Sequence, residues 1–468
     1  MTRDKTKILR QTDLIMMNVT AIVGLRWIPM AAGYGAAAPV LWLLAAALFF
    51  VPIGLVAAEL ATAWPDQGGV YAWVRRAFGE KWGFLTAWFY WVNNLFYYPS
   101  LLTYVAVTLA FLIDPELAKN KLYVCATILV VFWGVTLFNL RGLQIGKWLI
   151  NAAAVLGTVV PGGLLIGLGV LSVALWQRPA ATEYSLAAMV PSLSGFENIS
   201  LLSSLMFAMA GIEVTPIMAG ETEDPPRTFP RATLWSALLI ALLYIAGTVA
   251  MTLMAPPEKI GSASGIMDAV QLLAADLGLP WLVPVMVLLI TIGSLGGISV
   301  WVIGPIKMLF ESTKEGILPP ALTRLNAFDM PGNAMLVQAG FITVVTVAIS
   351  FLPTVNAFYE ALVMMCTIAY FIPYVFLFVA FLALRRRYPD VPRPCRVPGG
   401  TLGAWAVSLT GLASVLLAII LPFFPGKDLT TPSDVLIYEL QIGGGPLLFG
   451  ALGLFLFARR SPEATSSA

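Results

Sequence analysis

Apolar stretches long enough to cross a bilayer recur from one end of this chain to the other, separated by short polar connections, with 39–63 and 283–302 as clear examples. A helix of about 20 residues, rising about 1.5 Å per residue, matches a hydrocarbon core of about 30 Å. The pattern predicts twelve spans: 12–37, 39–63, 81–113, 121–140, 147–175, 199–219, 229–254, 280–312, 334–352, 356–384, 402–423 and 437–458. Two connections have helical apolar spacing of their own. Ser262 to Gly278 is predicted to lie along the outer surface, and Gly68 to Phe78 near the inner one.

Two spans are interrupted in the same way. Gly24-Leu25-Arg26-Trp27-Ile28-Pro29 and Gly211-Ile212-Glu213-Val214-Thr215-Pro216 both read glycine, apolar, charge, apolar, any residue, proline. Glycine and proline weaken a helix, and a charge at membrane depth is costly unless it meets water, a ligand or a partner. The first span starts inside and the sixth outside, so the shared pattern runs in opposite directions. That is the relation expected of inverted repeats, with a binding site where the two broken spans meet. The predicted organisation is an all-α membrane protein: an N-terminus at 1–11, a first repeat of five spans at 12–175, and a second at 199–384. Two further spans at 402–458 and a tail at 459–468 complete it.

Composition agrees with the pattern. The chain of 468 residues is 59% hydrophobic and 11% charged, and its mean hydropathy is +0.86. With the amino terminus inside, inner connections and ends hold 21 of the 27 lysines and arginines, outer connections five, and Arg26 lies within the membrane. The positive-inside rule then places both termini in the cytoplasm of a cell-membrane protein. The first apolar run, broken at Arg26, does not read as a cleavable signal. The net charge of +2 gives no argument for nucleic acid, and the three cysteines no disulfide framework. The absence of histidine excludes a histidine metal site or an imidazole relay, so no metal or other cofactor is expected.

Several motifs resemble the amino acid–polyamine–organocation superfamily and, within it, the glutamate/GABA antiporter family, over about residues 10–460. The most specific is Phe207-Ala208-Met209-Ala210-Gly211-Ile212-Glu213, followed by Ala219-Gly220-Glu221 through Arg227 and by Pro230. Others are Ala58-Glu59-Leu60, Gly68 to Trp73, Ala77-Phe78-Gly79 with Gly83-Phe84, Gly293 to Gly297, Glu315 to Pro320, and Pro389-Asp390 with Val397 to Gly400. The resemblance implies a LeuT-like 5+5 inverted-repeat fold, with broken helices 1 and 6, and exchange of one amino compound for another by alternating access. Substrate would lie between spans one, three, six, eight and ten. By position, Ile22, Val23, Gly24, Leu25 and Arg26 would receive its carboxylate; Ala210, Gly211, Ile212 and Glu213 would lie by its amino group, and Phe207 would be an aromatic gate.

The chemistry fits without the analogy. Half-helix amino ends offer free N–H groups to a carboxylate, and half-helix carboxyl ends offer carbonyls to an ammonium. Arg26 departs from the wider superfamily, whose first break is usually glycine and small residues. It can anchor a second substrate carboxylate, pair with Glu213 or Glu360, stand in for a sodium ion, or reach along the cavity wall toward water. Glu213 reads either as a proton-sensing carboxylate or as a hydrogen-bonding support for unwound backbone. In the aromatic run from Trp88 to Pro99, Asn93 and Asn94 are polar at depth, and one of them, Asn94 by preference, should face the cavity. Trp301 and Glu360 are further gate or coupling candidates, while Lys307–Glu311 reads as an ordinary helix pair and Glu59 as structural. Residues 152–163 contain no lysine, the residue that replaces a sodium ion in some proton-coupled relatives, so the resemblance implies exchange over cation-driven uptake. The eight residues after Arg460 are too few for the cavity-plugging tail that acid-resistance relatives carry, so no such autoinhibition is expected. The main reading is an amino acid carrier acting on a small substrate and counter-substrate within the bilayer. Proton-coupled uptake and an amino acid sensor on a transporter fold remain alternatives, and nothing reads as an enzyme.

Overall fold

The computed structural model describes residues 9–64, 68–141, 155–177, 179–191, 201–213, 215, 222–295, 298, 319–328, 330–424, 429 and 431–459. Apart from an isolated bridge between Leu9 and Thr222, regular structure among these residues is helical. The helices are α1 (Gln11–Ile22), α2 (Trp27–Ala32), α3 (Ala38–Ala45), α4 (Val51–Ala63), α5 (Val70–Phe78), α6 (Glu80–Ile113), α7 (Lys121–Leu140), α8 (Val160–Ala174) and α9 (Leu201–Ala208). They continue with α10 (Pro225–Met254), α11 (Gly265–Leu277), α12 (Leu282–Leu295), α13 (Pro320–Thr323), α14 (Gly332–Ile349), α15 (Val355–Arg387), α16 (Gly400–Ile420) and α17 (Pro432–Ala458).

Nine helical runs among the described residues are long and apolar enough to cross a membrane, and they correspond to predicted spans two to five, seven and nine to twelve. Span one is divided into α1 and α2, and span six is described as α9 followed by irregular backbone. Of span eight, α12 and Ile298 are described; Trp301, Lys307 and Glu311 lie outside the described residues. The two connections with helical apolar spacing do contain helices, α5 and α11.

Proline shapes the long spans. One π-helical turn (Ala46–Phe50) joins α3 to α4 just before Pro52, and another (Val155–Val159) leads into α8 just before Pro161. A proline removes one backbone donor and crowds the carbonyl four residues earlier, and a widened turn relieves both. Between α5 and α6 the chain reverses at Gly79, whose φ of +89° is costly for any residue with a Cβ.

The interior is built on α6 and α15, which pack chiefly on each other. In the apolar windows of α15 and α6, 78% and 72% of residues are buried, against 22% in α7, so these two are the inner columns and α7 a wall. Their aromatic residues interlock: Tyr90 meets Tyr370 at 5.1 Å between ring centres, and Trp82 meets Phe376 at 5.3 Å. Outward-facing Leu122, Val130 and Leu137 on α7 would be a liability in water but face hydrocarbon in a bilayer.

At the end of α4 a polar knot ties the framework together. Buried Glu59 accepts Arg385 Nε and Nη2 at 2.7 and 2.8 Å and the Val397 N–H at 2.7 Å, with Arg393 Nε 3.3 Å away. Arg393 in turn donates to the Pro389, Val391 and Tyr388 carbonyls beyond α15. The structural role expected for Glu59 is thus a clasp between α4 and the α15–α16 connection.

Candidate functional site

The α1 helix ends because Val23 turns to an extended conformation, and α2 resumes with Trp27 N–H donating to the Gly24 carbonyl at 3.1 Å. A Cβ on Gly24 would stand 3.0 Å from the Trp27 indole nitrogen, so this close return of the chain favours glycine. In the second break Gly211 has φ +120°, and a Cβ there would stand 3.2 Å from Ile22 Cγ1. The two breaks therefore touch, Gly211 against the last residue of α1.

Unwound backbone inside a membrane protein needs partners or a cavity. One hydroxyl serves both breaks. Tyr244 Oη, on α10, accepts the Gly24 N–H at 3.2 Å and lies 2.8 Å from the Ile22 carbonyl and 3.0 Å from the Ala208 carbonyl, to either of which it can donate. Its ring stacks on Trp42 with centres 4.4 Å apart. On the far side of the second break, Tyr374 Oη accepts the Gly211 N–H at 3.2 Å and donates to Glu213 Oε2 at 2.5 Å.

Beside the breaks lies a cavity of about 120 Å³, lined by Ile22 to Trp27, Asn93, Tyr97, Leu101, Tyr104, Gly157, Thr158, Phe207, Ala208, Ala210, Ile290, Gly293, Ser294 and Tyr370. That volume corresponds to on the order of ten water-sized positions, the scale of an amino acid. Phe207 closes one side edge-on to Trp27 (5.3 Å) and Tyr370 (5.6 Å). On another side Gly157 and Gly293 bring two backbones together: a Cβ on Gly157 would fall 1.9 Å from Gly293 Cα.

Arg26 is the one ionised side chain on this lining among the described residues, and it is 3% exposed. Its guanidinium sits 4.2 Å from the Trp27 ring centre and 4.7 Å from that of Tyr97, and Nη1 donates to Ser100 Oγ at 2.9 Å. Among the described residues, Nη2 is buried with no hydrogen-bond partner, as are Asn93 Oδ1 and Tyr104 Oη. The lining thus presents a cationic donor, an amide and a hydroxyl, each with one polar atom left unpaired among the described residues.

Among the described residues no carboxylate pairs with Arg26, which sets aside the ion-pair reading. Glu213, 1% exposed, is instead held by three tyrosine hydroxyls: Tyr90 (3.2 Å) and Tyr370 (2.8 Å) on Oε1, and Tyr374 on Oε2. Glu360 receives the Ser262 hydroxyl near α11 and does not line the cavity. Of the residues expected around a substrate, Ile22, Val23, Gly24, Leu25, Arg26, Phe207 and Ala210 line the cavity, while Gly211, Ile212 and Glu213 stand behind it. Asn94 is a correction: it turns away and donates to the Tyr90 carbonyl at 2.9 Å, and its neighbour Asn93 faces the cavity. The two differ by 100° around α6, less than a residue-level reading of an all-apolar helix can resolve.

The tyrosines escaped the sequence reading. Tyr97 lies within the aromatic run that reads as packing, and Tyr244, Tyr370 and Tyr374 stand in long apolar helices. The available signal was a phenol at mid-span, because a buried hydroxyl needs a partner and unwound backbone is the nearest one on offer.

The family model for amino acid permeases matches residues 9–445. The chain is 35% identical over 464 residues to an uncharacterized transporter of Legionella pneumophila, covering 98% of each chain. It is 26% identical over 389 residues to a glutamate/gamma-aminobutyrate antiporter of Lactococcus lactis, covering 82% of this chain and 77% of the other. It is also 26% identical over 422 residues to a probable agmatine/putrescine antiporter of the same species, covering 90% and 88%.

Proposed function

The chain belongs to the amino acid permease family, and on that premise we propose that it is a secondary carrier exchanging amino acids across the cell membrane, with a substrate carrying a second carboxylate seated at Arg26. The reading includes twelve spans in two inverted five-span repeats, with both termini cytoplasmic. Alternating access would come from the paired breaks moving against the α6–α15 columns.

The observation that carries it is a buried cation with no carboxylate beside it among the described residues. A buried guanidinium with an open Nη2 carries a desolvation penalty of several kcal/mol, which an anionic ligand group offsets. A second polar set, Asn93 Oδ1 and Tyr104 Oη, stands ready for the substrate's ammonium end. Arg26 also discriminates between substrate classes. A diamine such as agmatine or putrescine would bring two positive charges beside a fixed one, and repulsion at low dielectric excludes it. Residues 152–163, which supply Gly157 to the cavity wall, hold no lysine to stand in for a coupling cation, and this supports exchange.

The test is counterflow in proteoliposomes. Labelled glutamate or aspartate should accumulate against unlabelled amino acid inside, neutral amino acids should exchange less well, and putrescine should neither exchange nor inhibit. Binding without counterflow would make the protein a sensor, and exchange of putrescine would overturn the assignment of Arg26.

A further inference from the structure

Beyond the carrier reading, and resting only on its membrane orientation, a second charged cavity lies where α15 ends and α16 begins. It has a volume of about 290 Å³, and Arg385, Arg386, Arg393, Arg396, Gly400 and Trp405 are on its wall. Arg385 and Arg393 share the single carboxylate of Glu59, whereas Arg386 and Arg396 have no ion-pair partner among the described residues. Arg386 lies over the Trp405 ring, 4.8 Å from its centre. Arg393 Nε is buried without a hydrogen-bond acceptor in line, although Glu59 Oε1 is 3.3 Å away. Burial holds Arg393 below the ordinary arginine range, and Arg385 and Arg396 push it further down while Glu59 opposes them. The first turn of α16 has no side-chain cap, and the space above Gly400 is open. Positive charge thus converges from four side chains and a helix end, with Glu59 the one carboxylate paired to them among the described residues.

The setting identifies the anion. From the cavity edge an apolar stripe runs along α16 at intervals of seven residues: Leu402 (81% exposed), Leu409 (53%) and Leu416 (43%). Fourteen residues of helix cover about 21 Å, more than the roughly 15 Å of one bilayer leaflet. A cationic pocket continuous with a leaflet-long exposed apolar stripe matches the headgroup and acyl chain of a phospholipid. The lysine and arginine distribution also puts this end at the cytoplasmic leaflet, where anionic lipids collect around juxtamembrane arginines.

We propose that this cavity binds the phosphate of an anionic phospholipid, with an acyl chain lying along Leu402, Leu409 and Leu416. Arg386 and Arg396 supply the charge that Glu59 does not neutralise, and the open turn at Gly400 receives a phosphate oxygen.

Native mass spectrometry of the delipidated full-length protein, titrated with phosphatidylglycerol or phosphatidylethanolamine, tests this directly. One phosphatidylglycerol should be retained at concentrations where phosphatidylethanolamine is not. Each arginine is worth roughly a fivefold change in affinity, so Arg386→Gln with Arg396→Gln should weaken retention about 30-fold, and Arg459→Gln, just beyond α17, should not. Equal retention of the two lipids by the wild type, or unchanged retention by the double variant, would overturn the proposal. Should the double variant fail to purify, the wild-type comparison decides alone. Inorganic phosphate binding as tightly as the lipid would mark a soluble-anion site and would also overturn it.

Discussion

Replacing Tyr244 with phenylalanine isolates the one hydroxyl that serves both helix breaks. The ring and its stack on Trp42 (4.4 Å, 8° between planes) remain, so packing is conserved and only the oxygen is lost. That oxygen accepts the Gly24 N–H and donates to the Ile22 or the Ala208 carbonyl, hence two hydrogen bonds at any moment and three backbone groups in reach. Leaving a buried polar group unsatisfied costs about 1–3 kcal/mol. Ile22, Gly24 and Ala208 border the cavity, so water can reach part of the loss. The net cost should therefore be about 3 kcal/mol rather than the full sum. Thermal unfolding in nanodiscs at one fixed scan rate should show a midpoint several degrees lower, with counterflow reduced because the two breaks no longer share a tie. A Tyr244→Phe protein with an unchanged midpoint and unchanged exchange would refute the claim that this hydroxyl holds the unwound backbone.

Other outcomes follow from the same geometry. Arg26→Ala should lose about 10–100-fold in affinity for dicarboxylic substrates while neutral ones change little, and Arg26→Lys should recover part of the loss; competition for labelled substrate reads both. Glu213→Gln offers three tyrosines an amide in place of a carboxylate, so exchange should fall by a similar factor at every pH; a displaced pH profile would show Glu213 to be a titrating group instead. Glu59→Gln leaves buried Arg393 beside Arg385 with no counter-charge, and about 3–5 kcal/mol of destabilisation should appear as poor expression and a lowered thermal midpoint. Asp268, on the surface helix α11, has its carboxyl raised above 3.8, first by burial and against the pull of Ser264, the Gly261 N–H and Lys119. The folded state then holds its proton more tightly than the unfolded chain. The wild type should therefore gain stability relative to Asp268→Asn as pH falls from neutral toward 4, and lose it as pH rises through the folded value; parallel melting curves across pH check the sign.

The chain by itself determined the class, the nine spans that match long apolar helices among the described residues, and the two weak points. Hydrocarbon satisfies no backbone group, so spans must be long apolar helices, and a glycine, a charge and a proline within six residues stand out against them. Arg26 was visible for the same reason: a charge in an apolar run needs an explanation whatever surrounds it. Tertiary structure alone decided which partners these residues meet. Glu213 faces tyrosines from α6 and α15, over a hundred residues away on either side, and Arg26 has rings and a serine around it where a carboxylate was equally compatible with the sequence. Periodicity could not choose Asn93 over Asn94 because α6 is enclosed on all sides and shows no polar face to read. Local sequence sets where a helix must break; which distant hydroxyl heals the break is settled only when the helices pack.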